Sequence, residues 1–180
     1  MIGKILLVLR ANCPQSFGDL QTSNWIMIEI ERKFLIKDIP ELNVLSTQRI
    51  QQGYLTAPND SLEVRLRRID NQYFITVKTG EGLVRGEREI SINKPQFDKL
   101  WPLVNGKQLE KKRISIFLEN GLMVEIDFFE GNLAPLIMCE IEFSNEDEAN
   151  NFDPPKWFGK EVTTDNRYKN KSLVINGCPE

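Results

Sequence analysis

Charged and apolar side chains alternate through the segment Met27-Ile-Glu-Ile-Glu-Arg-Lys-Phe-Leu35. Successive side chains of a β-strand point to opposite faces, so the pattern predicts a strand with Glu29, Glu31 and Lys33 on one face. Only Arg32 interrupts the apolar face, where we expect a surface side chain whose guanidinium reaches water. The same alternation returns in five more segments downstream, so the charged face belongs to a whole sheet.

The composition narrows the chemistry available to this chain. Its 180 residues suit one domain with a hydrophobic core, and the net charge of −3 argues against a protein that coats nucleic acid. Histidine is absent, which excludes histidine-based triads, histidine general bases and histidine-ligated metals. Cys13, Cys139 and Cys178 are too scattered for a disulfide framework or a zinc site and suit the reducing cytoplasm. Any reaction must therefore use carboxylates, lysine, arginine, tyrosine or a metal ion.

The first 26 residues show no clear periodicity. The apolar run at residues 5–9 is far too short to span a bilayer, and we predict no membrane segment. We expect a poorly ordered or loosely docked extension at residues 1–26, followed by one domain over residues 27–176. A working protein that starts at Met27 is the alternative.

The remaining pattern predicts about eight strands, with helices inserted late in the chain. Strands are expected at residues 28–36, 48–56, 61–69, 72–78, 83–92, 111–118, 122–129 and 138–143. Helices are expected at residues 95–104, from a cap at Ser144 to a stop at Pro154-Pro155, and at residues 165–175. The fold class is therefore α+β with a mainly antiparallel sheet.

Charges on a shared face recur on nearly all of these strands. They are Glu29, Glu31, Lys33, Glu63, Arg65, Arg67, Lys78, Arg85, Glu87, Glu89, Lys111, Arg113, Glu125, Asp127, Glu140 and Glu142. An open sheet with a solvated charged face is the commoner architecture. A closed antiparallel β-barrel with a polar lumen and helices packed outside explains more, because the charges segregate into acidic and basic pairs and the apolar face is too large for a few helices to cover on a flat sheet.

A lumen of this kind needs a charged ligand, since buried charges require partners. Paired carboxylates are hard oxygen ligands that suit Mg²⁺ or Mn²⁺, and zinc is disfavoured without histidine or thiolate neighbours. Clustered arginines and lysines match the oxygens of a polyphosphate, to which arginine donates bidentate hydrogen bonds. The pattern therefore predicts metal-assisted binding and cleavage of a linear polyphosphate.

Nine short motifs resemble, in order, those of one known family. They are Glu29-Ile-Glu31-Arg-Lys33, Gln52-Gly-Tyr54-Leu, Glu63-Val-Arg65-Leu-Arg67, Thr76-Val-Lys78, Arg85-Gly-Glu87-Arg-Glu89, Glu110-Lys111-Lys-Arg113, Glu125-Ile-Asp127, Glu140-Ile-Glu142 and Glu161-Val-Thr-Thr-Asp165-Asn-Arg167-Tyr-Lys-Asn170. The first resembles the ExExK signature of the CYTH superfamily, the triphosphate tunnel metalloenzymes. The likeness covers about residues 27–173 and is nearest to the short bacterial members that hydrolyse inorganic tripolyphosphate.

The resemblance implies a closed tunnel of eight antiparallel strands that binds a triphosphate along its axis. It implies divalent-metal ligands at Glu29, Glu31, Glu140 and Glu142, with Asp127 and Glu87 or Glu89 orienting metal and water. It implies phosphate contacts from Lys33, Arg65, Arg67, Lys78, Arg85, Lys111, Arg113 and Arg167. Tyr54 is expected to hydrogen-bond Lys33 and tune it, and Lys169 to help Arg167 close one mouth of the tunnel.

The activity that the resemblance implies is Mg²⁺- or Mn²⁺-dependent hydrolysis of inorganic tripolyphosphate to pyrophosphate and phosphate. A class IV adenylyl cyclase, or a hydrolase of thiamine or nucleoside triphosphates, is the alternative within the same fold, although the absence of histidine counts against the cyclase. A non-catalytic polyphosphate-binding module would keep the bases and lose the carboxylates, whereas here both acid pairs are intact. We expect a small-molecule substrate and no nucleic-acid or membrane partner, and we leave a homodimer open.

Overall fold

The computed structural model describes residues 27–57, 60–80 and 83–180. The expected extension at residues 1–26 lies outside these ranges and stays a prediction. Within them one sheet contains β1 (Met27–Ile36), β2 (Ser46–Tyr54), β3 (Leu62–Ile69), β4 (Gln72–Thr79), β5 (Val84–Ile92), β6 (Gln108–Phe117), β7 (Met123–Phe129), β8 (Ile137–Glu142) and β9 (Phe158–Glu161). The α-helices are α1 (Lys94–Leu100), α2 (Glu146–Asn151) and α3 (Asn170–Asn176). No helix in the described ranges is long and apolar enough to cross a membrane.

The first eight strands close into a barrel. Their order is β5-β4-β3-β2-β6-β7-β8-β1, and β1 pairs with β5 to complete the ring. The closing pairs are antiparallel and run from Met27 opposite Glu87 to Ile30 opposite Val84. The closed barrel predicted from the charge pattern is therefore confirmed, and an open sheet with a solvated charged face is excluded.

The ninth strand lies beside β1 and is not predicted by the sequence pattern. Its four residues lack an apolar–polar alternation, and only Phe158 is buried. Phe34 of β1 lies opposite Glu161, and Ile36 lies opposite Phe158. One edge of β1 is therefore shared between β5 along its first half and β9 along its second. Arg32, expected to reach water, instead pairs with Glu161 at 2.6 Å.

The apolar face of the barrel points outward and is covered by helices and loops. The largest cluster joins Phe34, Ile126 and Ile141 on the strands to Ala149 and Phe152 around α2. Burying a large apolar side chain completely stabilises the fold by about 1.5–3 kcal/mol. This outer layer therefore holds the strands in place while leaving their other face for charged groups.

The helix α1 and the 3₁₀ turn that follows it cover another part of the outer face. Phe97 and Val104 pack on Leu66 from β3. The turn approaches β2 so closely that a Cβ added at Gly53 would lie 2.4 Å from Cγ2 of Val104. Glycine at this position therefore allows the close approach of the turn to the barrel.

The inner face is charged along part of its length and apolar along the rest. Directly paired residues share a face, so Ile50 opposite Lys111 and Phe74 opposite Arg67 both point inward. Ile50, Ile69 and Phe74 form a buried cluster. The charged lumen is therefore bounded on one side by apolar residues of the same strands.

The last helix packs against a further apolar part of the inner face. Leu173 of α3 is buried in a cluster with Leu109, Phe129 and Met138. Phe129 lies opposite Lys111, and Met138 lies on the same side of β8 as the inward carboxylates. The helix therefore covers one end of the barrel.

Helix boundaries differ from the prediction in three places. The helix expected at residues 95–104 continues as a 3₁₀ turn after Leu100. Asn145 caps α2 in place of Ser144, because the Asn145 side chain accepts the helix amide three residues on. The final helix starts at Asn170, since the residues before it form a separate 3₁₀ turn.

Candidate active site

Basic side chains from five strands surround a cavity of about 100 Å³ inside the barrel. They are Lys33, Arg65, Arg67, Lys78, Arg85, Lys111 and Arg113. Period-two alternation places each of them on the inner face, and the closure of β1 on β5 brings Lys33 and Arg85 to the same lumen. The structure thus collects every residue predicted to bind phosphate except Arg167.

Most of the predicted carboxylates share this lumen. Those that line the cavity are Glu29, Glu87, Glu140 and Glu142. Glu31 and Asp127 also face inward but are almost fully covered, with 3% and 1% of their surface exposed. Within the part of the chain that the structure describes, no three of these acids converge to form a ready-made metal site. Most of them turn instead toward lysines and arginines.

Two lysines hold carboxylates of other strands in ion pairs. Nζ of Lys33 lies 2.7 Å from Oε1 of Glu140. Nζ of Lys78 lies 2.6 Å from Oε2 of Glu29 and 2.6 Å from Oε2 of Glu87. Burial lowers the pKa of Lys33, but the charges of Glu140 and Glu29 outweigh burial and raise this pKa above its usual value. Lys33 therefore stays charged inside the barrel.

Asp127 is held by two basic side chains inside the barrel. Nε and NH2 of Arg113 lie 2.6 Å and 2.7 Å from its two carboxylate oxygens, and Lys111 pairs with it as well. Burial raises the pKa of Asp127, but Arg113 and Lys111 outweigh burial and lower it. Burial also lowers the pKa of Lys111, and Asp127 offsets only part of that effect. The geometry favours Asp127 as the residue that fixes these two bases.

Glu142 lines the same cavity as Glu29, Glu125 and Glu140. Withdrawal from water raises its pKa to about 7, and the charges of Glu29, Glu125 and Glu140 contribute to the same shift. These acids therefore repel one another at one part of the lumen. A divalent cation relieves such repulsion, and oxygen-only donors suit Mg²⁺ or Mn²⁺. The oxygen donors of these residues thus fit a divalent metal ion by their chemistry, although no three of them surround a common point in the described part of the chain.

Three arginines present donors that the protein itself does not satisfy. Nε of Arg65, Arg67 and Arg85 is buried without a hydrogen-bond partner. Leaving a buried donor unpaired costs about 1–3 kcal/mol. NH1 of Arg67 is engaged more loosely, 3.4 Å from Oε2 of Glu89. A ligand rich in oxygen acceptors would satisfy these donors, which is the chemistry of a polyphosphate.

Tyr54 has a different partner from the one expected. Its hydroxyl accepts a hydrogen bond from Nε2 of Gln52 at 2.8 Å, whereas the Lys33 ammonium donates to Glu140. The hydrogen bond between Tyr54 and Lys33 is thus replaced by these two contacts. Burial, followed by the charge of Glu63, raises the pKa of Tyr54 above its ordinary value. The phenol is therefore protonated at neutral pH.

Arg167 lies apart from the lumen. Its side chain is 61% exposed and pairs with Asp165 at 2.7 Å, so its contact with phosphate stays a prediction. Lys169 and Asn170 line the cavity at the start of α3. The resemblance places Lys169 at one mouth of the tunnel, but strand alternation predicts neither residue, because both belong to an irregular turn and helix start. Glu125 also lines the cavity, and its strand alternation does predict that position.

The closed barrel and its lumen define a tunnel protein built to hold a polyanion. The chain matches the CYTH domain over residues 27–174 and belongs to that family. It is 49% identical over 150 residues to an inorganic triphosphatase of Nitrosomonas europaea, covering 83% of this chain and 99% of that protein. It is 32% identical over 149 residues to an inorganic triphosphatase of Acetivibrio thermocellus, covering 82% and 94%. The crystal structure of an inorganic triphosphatase shares 47% identity and superposes with a TM-score of 0.65 over 82% of this chain and 94% of that one.

Proposed function

We propose that this chain hydrolyses inorganic tripolyphosphate to pyrophosphate and phosphate inside the barrel, with a divalent metal ion. The observation that carries the proposal is the ring of basic side chains around one narrow lumen, with unpaired donors on Arg65, Arg67 and Arg85. Two relatives of similar length are inorganic triphosphatases, which supports the same substrate.

The carboxylates assigned to the metal are Glu29, Glu31, Glu140 and Glu142. Asp127 supports the site by holding Arg113 and Lys111. Mg²⁺ is the proposed ion and Mn²⁺ the alternative, because the donors are all hard oxygens. When bound, the metal neutralises phosphate charge and supplies an activated water. In the structure Glu29 and Glu140 pair with Lys78 and Lys33, so a metal ion held by these carboxylates would compete with both lysines for them.

Each remaining side chain has a role that follows from its position. The arginines donate to phosphate oxygens, which suits a planar group with several fixed donors. Lys33 lies between the proposed metal ligands and is placed to stabilise charge that develops on the reacting phosphate. Glu87 and Glu89 are the candidates for orienting the attacking water. Tyr54, protonated and buried, is the candidate for a hydrogen-bond donor near Lys33.

The lining of the lumen favours an inorganic substrate over an organic ester. Among the described residues it consists of charged and amide side chains, and none of them is aromatic. The lining of this cavity therefore offers a nucleobase or a thiamine ring no aromatic side chain on which to stack. A linear chain of phosphates needs only charged donors and a metal, and those are what the lumen offers.

The compartment proposed for this activity is the cytoplasm. Cys139 is buried and Cys178 exposed, and both are free thiols. Free thiols persist in reducing compartments, which supports a cytoplasmic location.

The proposal is tested by comparing Glu29→Gln with Glu110→Gln. Glu29 lines the lumen, whereas Glu110 is an exposed glutamate on β6. We expect Glu29→Gln to abolish turnover of tripolyphosphate and to raise the metal concentration needed for any residual activity, with an unchanged circular dichroism spectrum. Glu110→Gln should match the wild type. Full activity of Glu29→Gln at limiting metal would remove Glu29 from the ligand set.

A further inference from the structure

At Lys33 the hydrogen bonds along one edge of β1 change partner, from the residues that lead into β5 to the residues that follow β9. On the edge that closes the barrel, the amide of Glu31 donates to the carbonyl of Leu83 at 3.2 Å. Two residues later the carbonyl of Lys33 accepts the amide of Val162 at 2.8 Å. The amide of Lys33 lies between these strand contacts, and its partner is a side chain. The oxygen Oγ1 of Thr163 accepts this hydrogen bond at 3.0 Å.

The Thr163 hydroxyl is fixed from its other side. It donates to Oε1 of Glu161 at 2.6 Å, so both of its hydrogen-bonding roles are occupied. Glu161 in turn accepts from Nε of Arg32 at 2.9 Å and from NH2 of Arg32 at 2.6 Å. The hydrogen bonds from Arg32, together with that from Thr163, lower the pKa of Glu161. A bidentate ion pair of this geometry restricts the rotamers of both partners.

The chain of contacts ends in the outer layer of the barrel. NH1 of Arg32 donates to the carbonyls of Ala149 and Phe152, each at 2.9 Å. The guanidinium also lies 5.2 Å from the ring centre of Phe34. Arg32 is therefore anchored to the C-terminal end of α2. The hydrogen bonds lead without interruption from this outer layer, through Thr163, to the backbone of Lys33.

We propose that Thr163 is a positioning residue that holds the backbone of Lys33 and so fixes the place of its ammonium within the lumen. Its hydroxyl takes the place of a strand carbonyl at the gap between β5 and β9 and holds the Lys33 amide on this edge, while β8 pairs with β1 on the other. The Lys33 ammonium, 2.7 Å from Glu140 and 3.0 Å from Glu31, depends on that orientation. The inference rests on the proposed function in so far as Lys33 acts on tripolyphosphate.

The chain supplies a matched control in Thr56. Oγ1 of Thr56 also accepts a hydrogen bond from a backbone amide, that of Val64, at 3.1 Å. Thr56→Val removes the same kind of contact as Thr163→Val and leaves the lumen lining intact. Thr163→Ser keeps the hydroxyl and serves as the rescue variant. If Thr163→Val does not fold, Thr163→Ala replaces it in the same measurements.

Two measurements on the full chain test whether Thr163 positions Lys33. Amide hydrogen exchange followed by NMR should be at least about tenfold faster at Lys33 in Thr163→Val, because one hydrogen bond is lost. The kcat for tripolyphosphate should fall about tenfold with little change in KM, because the other bases still bind the substrate. Thr163→Ser and Thr56→Val should match the wild type at Lys33 and in kcat.

Two results would overturn the inference. One is a Thr163→Val variant that exchanges at Lys33 like Thr56→Val, and the other is a Thr163→Ser variant as damaged as Thr163→Val. If the wild type does not hydrolyse tripolyphosphate, the proposed function fails, and the exchange rate at Lys33 still decides whether Thr163 holds the strand.

Discussion

Lys33 on β1 and Glu140 on β8 are directly paired across two strands, and their side chains meet inside the barrel at 2.7 Å. Burial raises the pKa of Glu140, but Lys33, Lys111 and Arg113 outweigh burial and hold it well below its ordinary value. Both partners are therefore charged. A buried ion pair of this kind costs desolvation energy, which binding of a metal and a polyphosphate can offset.

Replacing Lys33 by glutamine tests the role of this pair in turnover. We expect kcat/KM for tripolyphosphate to fall about a hundredfold or more, the usual cost of removing one donor that stabilises developing charge. Lys160→Gln, which changes an exposed lysine on β9, is the control and should leave kcat/KM unchanged. Comparable kinetics for the two variants would show that Lys33 does not act on the reacting phosphate.

The raised pKa of Glu142 predicts a pH dependence of stability. The pKa is about 7 in the folded state against an ordinary value of 4.5, so between these two pH values the folded protein binds more protons than the unfolded chain. The contribution of Glu142 to the free energy of unfolding therefore falls as pH rises from about 4.5 to about 7 and is constant above that window. Glu142→Gln removes this contribution, so its stability should fall less over the same range.

Urea denaturation in EDTA at several pH values measures this difference, with Glu110→Gln as the control. Parallel stability curves for Glu142→Gln and the wild type would contradict the shifted pKa. Divergence only above neutral pH would assign the titration to another group.

The unpaired donor on Arg67 predicts a loss of substrate affinity in Arg67→Lys. Lysine keeps the charge but lacks the planar set of donors, so we expect KM for tripolyphosphate to rise about tenfold. A ligand that binds the folded state raises the melting temperature, and in EDTA this shift should be smaller in Arg67→Lys than in the wild type. Arg88→Lys, at an exposed position on β5, should behave as the wild type. Equal shifts in all three proteins would place tripolyphosphate elsewhere.

Strand alternation is sufficient to predict which residues face the lumen. Lys33, Lys78 and Arg113 occupy the predicted face, because a period of two does not depend on the identity of the neighbouring strand. Alternation alone does not predict that the barrel closes, since closure depends on the pairing of β1 with β5, which is distant in the sequence. The excess of inward charge favours closure, but the register between these strands follows only from the assembled barrel.

Partners within the lumen are harder to predict than its lining. The resemblance assigns Asp127 to metal and water, yet Arg113 and Lys111 occupy its oxygens in the structure. Such choices depend on the stagger between strands and on burial, which local sequence does not specify. The same limit applies to β9 and to Lys169, since neither lies in an alternating segment.

The most direct measurement is phosphate release from tripolyphosphate, ATP and thiamine triphosphate side by side, with Mg²⁺, with Mn²⁺ or with EDTA. We expect rapid release from tripolyphosphate alone, with either metal, and none in EDTA. Faster release from ATP or thiamine triphosphate, or turnover that persists in EDTA, would contradict a metal-dependent inorganic triphosphatase. Tight binding of tripolyphosphate without any release would contradict it as well, because the lumen would then only bind polyphosphate.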